Sequence, residues 1–414
     1  MVLNYIWFFF FMIAFAIALA KWVITGDPLI FKQVTDGIFK SAGDSVELSF
    51  KLIGIMTLFL GFMNIGEKAG AIRFLSRIVS PFFSKLFPEL PPKHPAYGHM
   101  MMNFSANLLG LDNAATPFGL KAMQSLQTLN PDKDTASNAQ IMFLVLHASG
   151  LTLIPISIIA LRASVTPPAA NPTDIFLPCM IATFVATVAA LVIVSIRQKI
   201  NLLQPVILAW IAGISVFIGL LIAYLKIFLN QVEIESFSSV LSNGLILMIF
   251  AIFLLGGIFK KVNVFEAFID GAKGGFETAI KLIPYFVAML VAISVLRTSG
   301  TFDFITSGLI SAFSAMNMDT EFVLALPTAM MKPLSGGGAR ALMVDTMNTY
   351  GADSFAGRLS AIFQGSSDTT FYVVAVYFGS VGIKNTRYSI PSMLLADLVG
   401  VITAIGVAYL FFGN

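Results

Sequence analysis

The sequence predicts an all-α polytopic membrane protein made of two inverted repeats with re-entrant helical hairpins and broken helices. Three observations lead there. Of 414 residues, 57% are hydrophobic and 11% charged, whereas a soluble domain carries about 25% charged residues, so this chain cannot clothe a water-facing surface. Its long apolar runs are interrupted in a few places by small, polar and acidic residues that lipid penalises. The interruptions recur in the same order in the two parts of the chain.

The apolar runs are continuous rather than alternating in segments of about ten residues, which selects helices over a barrel. A net charge of +3 implies no nucleic-acid partner, and the basic residues read as topology signals. The single cysteine, Cys179, excludes an intramolecular disulfide and a cysteine-rich metal or cluster site. It reads as a small packing residue.

Residues 3–24 are apolar and aromatic, with no basic segment before them and no small-residue cleavage site after, so a retained first transmembrane helix is expected. A polar amphipathic segment follows at 27–45, then a span at 46–63. Residues 66–93 mix Glu67, Lys68, Arg73, Arg77, Lys85 and Lys93 with Phe and Leu at helical spacing, punctuated by prolines. That pattern predicts a helix lying in the interface and a tight connection. Residues 96–125 are dense in Asn, Gly, Ala and Met, with Pro117 near the middle. They suit two short helices meeting at a tip around Leu111–Thr116, a hairpin buried in protein. Spans are expected at 138–161, 175–196, 203–225 and 240–259.

From Val264 onward the pattern repeats. Asp36-Gly37 is matched by Asp270-Gly271, Lys51-Leu52-Ile53 by Lys281-Leu282-Ile283, and Met101-Met102 by Met330-Met331, at separations of about 230 residues. Later, Ser149 and Thr152 match Ser366 and Thr369, and Pro178 matches Pro391, at a slightly smaller separation. If each hairpin enters and leaves on one side, an odd number of crossings separates the two opening spans, so the second repeat is inverted. A cytoplasmic N-terminus then places most basic residues inside, leaving Lys32, Lys40, Arg162, Lys226 and Arg297 outside. The second hairpin, 322–349 with its tip at Ser335–Gly338, enters from the opposite face. Opposed hairpins in inverted repeats describe a secondary-transporter core.

The polar pieces fall into matched sets. In the first repeat they are Asn113 and Thr116 at the hairpin tip, with His147, Ser149 and Thr152 in an interrupted helix before Pro155. In the second they are Ser335 and Arg340 at the tip, with Gln364, Ser366, Ser367, Asp368 and Thr369 in the other interruption. Hairpin helices ending at one depth offer free N–H and C=O groups to whatever sits between them. This suits a small polar solute, because an apolar one would leave those groups unpaired. Asp368 reads as a substrate or ion contact, or as a neutralising partner of Arg340 or Lys332. His147 reads as a packing histidine, a substrate donor or a proton acceptor. The hydroxyls serve a shared site or bond back to their own helices. Asp397, well inside the last span, reads as a structural partner of a neighbouring helix, or as a group that titrates in coupling.

Enzyme signatures are missing: there is no HExxH, no GxSxG and no His/Cys cluster at metal-ligand spacing. An intramembrane hydrolase would need Asp112 and Asp368 as a carboxylate pair, and nothing in the sequence places them together. The protein is therefore read as no enzyme. No cofactor or resident metal is expected; a coupling ion, sodium or proton, is admitted.

The run Asn107-Leu108-Leu109-Gly110-Leu111-Asp112-Asn113-Ala114-Ala115-Thr116-Pro117, with Gly119-Leu120-Lys121 after it, resembles the signature of the spore maturation A proteins. Lys332-Pro333-Leu334-Ser335-Gly336, and the run from Gly365 through Tyr377-Phe378-Gly379-Ser380-Val381-Gly382, resemble the spore maturation B proteins. The resemblance implies a fusion. Residues 1–200 would be an A-like Gate repeat with an N-terminal transmembrane helix. Residues 201–414 would be a B-like part, with scaffold helices at 203–260 and a second Gate repeat at 264–413. Both parts are identified with the nucleoside-recognition, or Gate, family, which is distantly similar to concentrative nucleoside transporters. That likeness implies inverted repeats, re-entrant hairpins and a polar site at mid-membrane depth.

The expected function is an inner-membrane secondary transporter for a small polar or zwitterionic solute such as a nucleoside, amino acid or peptide. The alternative is a non-transporting scaffold or gate acting with a partner. The expected surroundings are the lipid bilayer of a bacterial cytoplasmic membrane and the solute, with no nucleic acid. A homo-oligomer through the scaffold helices is compatible with the resemblance.

Overall fold

The structure is a computed structural model that describes the backbone of residues 2–91, 94–110 and 112–413; the side chains of 2–4, 6, 112–114, 231, 232 and 235 fall outside it. Helices α1 (Val2–Thr25), α2 (Leu29–Ala69), α3 (Ala71–Leu86), α4 (Pro95–Leu108) and α5 (Asp112–Leu129) come first. Then follow α6 (Asn138–Ala148), α7 (Ile156–Ser164), α8 (Phe176–Gln198), α9 (Pro205–Phe228) and α10 (Gln231–Phe259). After α11 (Val264–Thr298) and α12 (Thr301–Ala315), a 3-10 turn (Glu321–Ala325) leads into α13 (Leu326–Met331) and α14 (Gly336–Tyr350). The last three are α15 (Phe355–Gly365), α16 (Thr370–Gly379) and α17 (Ser389–Phe412).

No strand occurs among the described residues, as lipid demands of a chain that must satisfy every backbone polar group within its own segments. Seven helices among them are long and apolar enough to cross a membrane: α1, α2, α8, α9, α10, α11 and α17. The protein is a multi-pass helical membrane protein.

Two readings of the sequence need adjustment. The segment at 27–45 and the span at 46–63 form one helix of 41 residues, α2. It is about 60 Å long, roughly twice the hydrocarbon core. The i,i+4 pairs Lys32–Asp36 and Glu47–Lys51 support its helical continuity through the charged stretch. The first hairpin turns at Leu109-Gly110, with Gly110 at φ 71°, where a side chain is strained. Asn113 and Thr116 therefore belong to the start of α5 rather than to the turn.

The chain divides into two compact units, and each draws on both sides of residue 200. One comprises Met1–Leu58, Ser157–Pro172 and Lys273–Gln364. Within it, α2 lies against α11: Ser294 Oγ donates to the Gly37 carbonyl at 3.1 Å, and a Cβ on Gly275 would lie 2.6 Å from the Met56 carbonyl oxygen. Trp7 Nε1 ties α1 to the Ala288 carbonyl at 3.0 Å. Arg162, wholly buried, holds Ser157–Pro172 to the loop after α14 by donating to the Ala352 carbonyl at 2.8 Å.

The other unit comprises Phe59–Ile156, Thr173–Ala272 and Gly365–Asn414. Here the end of α2 meets the start of α11: Asn64 Nδ2 donates to the Ala267 carbonyl at 2.6 Å, and a Cβ on Gly271 would sit 2.3 Å from the Leu60 carbonyl oxygen. Helix α17 packs along α8, with Gly400 against Ala186, small residues of the kind that let membrane helices approach closely. Helix α6 is buried from Ala139 through Ala148. A helix apolar on all sides belongs in a core, and α6 is the core around which α4, α5, α8, α16 and α17 pack.

Candidate functional site

The two helical interruptions of the sequence are present as breaks. Helix α6 stops at Ala148 and α7 starts at Ile156; helix α15 stops at Gly365 and α16 starts at Thr370. A helix that ends leaves carbonyls without intrahelical donors. The N–H of Asp368, in the second break, donates to the carbonyl of Ala148, the last residue of α6, at 2.7 Å. The N–H of Leu153, in the first break, donates to the Leu108 carbonyl at the end of α4 at 2.8 Å. A Cβ on Gly110 would lie 2.4 Å from the Ile154 carbonyl oxygen. The hairpin turn and both breaks thus converge.

His147 sits at the centre, 5% exposed. Its Nε2 is 3.9 Å from Asp368 Oδ2, wider than a hydrogen bond, and the Asp368 carboxylate is half exposed. Asp368 Oδ1 also accepts the Thr369 N–H at 2.7 Å. On the other side of the ring, Nδ1 lies 2.8 Å from Asn107 Nδ2 and 3.0 Å from Asn103 Oδ1. Asn103 is oriented by donating its Nδ2 to the Ala115 carbonyl at 2.7 Å. When Nδ1 is bare it accepts from Asn107; when it carries a proton it donates to Asn103. Either tautomer of the imidazole is satisfied on this side, so the proton can sit on either nitrogen without an orphaned Nδ1.

Tyr377 closes the group. Its ring stands edge-on to His147 with centroids 4.8 Å apart, and its hydroxyl and the Asn103 amide both lie against Gly119. Gly119 allows this approach: a Cβ there would lie 2.4 Å from Tyr377 Cε1 and 2.9 Å from Asn103 Nδ2. Gly119→Ala is expected to displace the tyrosine and lower stability by about 1–3 kcal/mol, read as a lower Tm in detergent.

The remaining candidates fall in several places. Ser149 is buried and turns its hydroxyl back to the Val145 carbonyl at 2.9 Å, while its own carbonyl accepts from Thr187 Oγ1 at 2.6 Å. Thr152 reaches the Gly150 carbonyl at 3.4 Å. Ser366 and Thr369 are buried and Ser367 is half-buried. Asn113 lies outside the described side chains. Ser335, Arg340 and Gln364 belong to the unit that contains α13 and α14. There Ser335 caps α14 by accepting the Gly338 N–H at 3.0 Å, Arg340 is half-buried, and the buried Gln364 Oε1 has no hydrogen-bond partner among the described residues. Asp397 accepts from Thr370 Oγ1 at 2.6 Å.

Asn103, Asn107 and Tyr377 are the participants that sequence reasoning missed. The two asparagines are spaced i,i+4, which places them on one face of α4, and that spacing was the available signal. Beside Asn107 and Gly150 opens a cavity of about 160 Å³ walled by Phe82, Phe83, Phe104 and Trp210. Ser105 lines it, 1% exposed, and its Oγ is unpartnered among the described residues. Asn107, which holds the His147 ring on one side, thus also borders a space that accepts an apolar group of about benzene size.

Spore maturation protein B of Bacillus subtilis (strain 168) is 48% identical over 174 residues, covering 42% of this chain and 96% of that protein. Spore maturation protein A of the same organism is 41% identical over 162 residues, covering 39% of this chain and 82% of that protein. Two segments, 49–165 and 279–384, match the family model Gate, described as nucleoside recognition, and together they make up more than half of the sequence. The chain belongs to the Gate, or nucleoside-recognition, family.

Proposed function

We propose that this protein is a secondary transporter that moves a small polar or zwitterionic solute (a nucleoside, amino acid, peptide or related metabolite) through the site where the helix breaks meet. The bond from the Asp368 N–H to the Ala148 carbonyl carries the reading, because it joins the two breaks at one place. Around it, Asn107, His147, Asp368 and Thr116 would bind the polar part of the solute, and the aromatic cavity an apolar part. Within their own unit, Ser335 and Arg340 of the second hairpin and Gln364 of α15 are further proposed solute contacts, with Arg340 receiving a carboxylate or phosphate. Binding a donor at Gln364 Oε1 would recover the cost of a buried acceptor left unmet.

Two inverted repeats underlie this reading. The family model matches twice, and Gly37 meets Ser294 in one unit as Gly271 meets Asn64 in the other. The pairs are related by about 230 residues, as are the earlier matches of the proposed duplication. The A-like part at 1–200 and the B-like part at 201–414 would then supply one re-entrant hairpin each, and α9 and α10 the scaffold against which they move. His147 and Asp368 are the groups through which a sodium ion or proton would couple. The proposed setting is the bacterial inner membrane with a cytoplasmic N-terminus, and the scaffold helices are the proposed contacts of a homo-oligomer.

One observation favours a second reading, a gate that works only with a partner: α6 and His147 are buried on all sides. Uptake separates the two. Purified protein in proteoliposomes, screened with labelled nucleosides, amino acids, dipeptides and dicarboxylates under sodium and proton gradients, is expected to accumulate at least one class. No uptake of any class under either gradient would favour the gate.

A further inference from the structure

A second cleft, of about 980 Å³, opens in the unit that holds α3 and α10. Lys68, Arg73, Arg77 and Lys260 line it, against one acid, Glu67. Lys68 is paired with Asp270 at 2.8 Å, whereas Arg73, Arg77 and Lys260 make no ion pair among the described residues. Arg73 and Arg77 are exposed and one turn apart on α3, so both guanidinium groups reach the same side. Helix α3 begins there without a capping side chain, after Gly70 at φ 94°. The N–H groups of its first turn, on Ala71, Ile72 and Arg73, also border the cleft and have no intrahelical acceptor. The rest of the wall is apolar, including Phe74, 64% exposed, and Ile252, 54% exposed.

The cleft lies where two membrane-spanning helices end, α2 at Ala69 and α10 at Phe259. That is the depth of lipid head groups. A phosphodiester would fit there on three counts. Arginine forks bind it bidentately, uncapped helix amides favour an anion, and the apolar wall continues towards the acyl region. Phosphatidylcholine would bring a quaternary ammonium into a group of cations. A free phosphate would leave the apolar wall unused.

We propose that this cleft is a binding site for an anionic phospholipid, with the phosphodiester held by Arg73, Arg77, Lys260 and the first turn of α3. Basic side chains near a membrane surface each favour anionic lipid. Delipidated full-length protein in non-ionic detergent would be titrated with phosphatidylglycerol, phosphatidylcholine and glycerol 3-phosphate and read by native mass spectrometry. Phosphatidylglycerol is expected to bind at least about tenfold more tightly than phosphatidylcholine, and R73Q/R77Q to weaken it about thirtyfold. Lys260→Gln, on a different helix, is expected to weaken it about fivefold, so that a folding defect in the α3 double variant leaves an independent readout. The surface variant R197Q/K199Q is expected to bind as wild type does. Equal affinity for the two lipids, or undiminished phosphatidylglycerol binding by folded R73Q/R77Q or Lys260→Gln, would overturn the proposal. Glycerol 3-phosphate binding as tightly as phosphatidylglycerol would replace the lipid with a soluble anion and overturn it equally.

Discussion

Arg162→Ala is expected to unfold the unit built from Met1–Leu58, Ser157–Pro172 and Lys273–Gln364 at a markedly lower temperature than wild type. The guanidinium is fully buried and donates from Nη1 to the Ala352 carbonyl at 2.8 Å and from Nη2 to Asp353 Oδ1 at 3.3 Å. Asp353 Oδ2 in turn accepts the Ala170 N–H at 2.8 Å. One side chain thus ties a short segment to a part of the chain nearly two hundred residues away. Its removal leaves buried acceptors unmet and opens a cavity. Breaking a buried pair costs about 3–5 kcal/mol; the lower end applies because Asp353 is 37% exposed and can rehydrate. Arg162→Lys keeps the charge but loses the fork, so it should fall between the two. Melting curves in detergent decide the matter, and an unchanged Tm for Arg162→Ala would refute the assignment.

Asp368→Ala is expected to reduce uptake in proteoliposomes at least about tenfold, the effect of losing one charge-assisted hydrogen bond at a binding step. The variant should melt as wild type does, because the carboxylate is half exposed and the break is held by its backbone N–H. Asp368→Asn distinguishes the carboxylate's roles. It keeps an oxygen acceptor and removes the charge, so activity that returns with asparagine assigns a hydrogen bond, and activity that stays lost assigns ion or amine coupling. The exposed Asp303→Asn serves as a control and should transport normally.

The breaks were legible because their residues contradict their surroundings. Gln364–Thr370 is polar within an apolar run, and the helix stops at Gly365 and resumes at Thr370. His147–Thr152, followed by Pro155, behaves alike. What surrounds His147 was not legible in the same way. Asn103 and Asn107 look like hairpin packing until α4 is set against α6, some forty residues later, and Tyr377 joins them only through the glycine at 119. The charged start of α2 looks like a separate segment because its polarity departs from the span beyond. Composition alone does not reveal that i,i+4 ion pairs let a helix continue through such a stretch. The sequence points to a turn a few residues later, because Asn and Asp also favour turns, whereas the αL position belongs to Gly110.

The central claim is that the solute binds where the two breaks meet. A cryo-electron-microscopy map of the full-length protein, reconstituted with the solute found by uptake, tests it most directly. Ligand density is expected within hydrogen-bond distance of Asp368 and Asn107, with the apolar part of the solute towards Phe104 and Trp210. Density for the same solute elsewhere, with the side chains around His147 arranged as without it, would contradict the account.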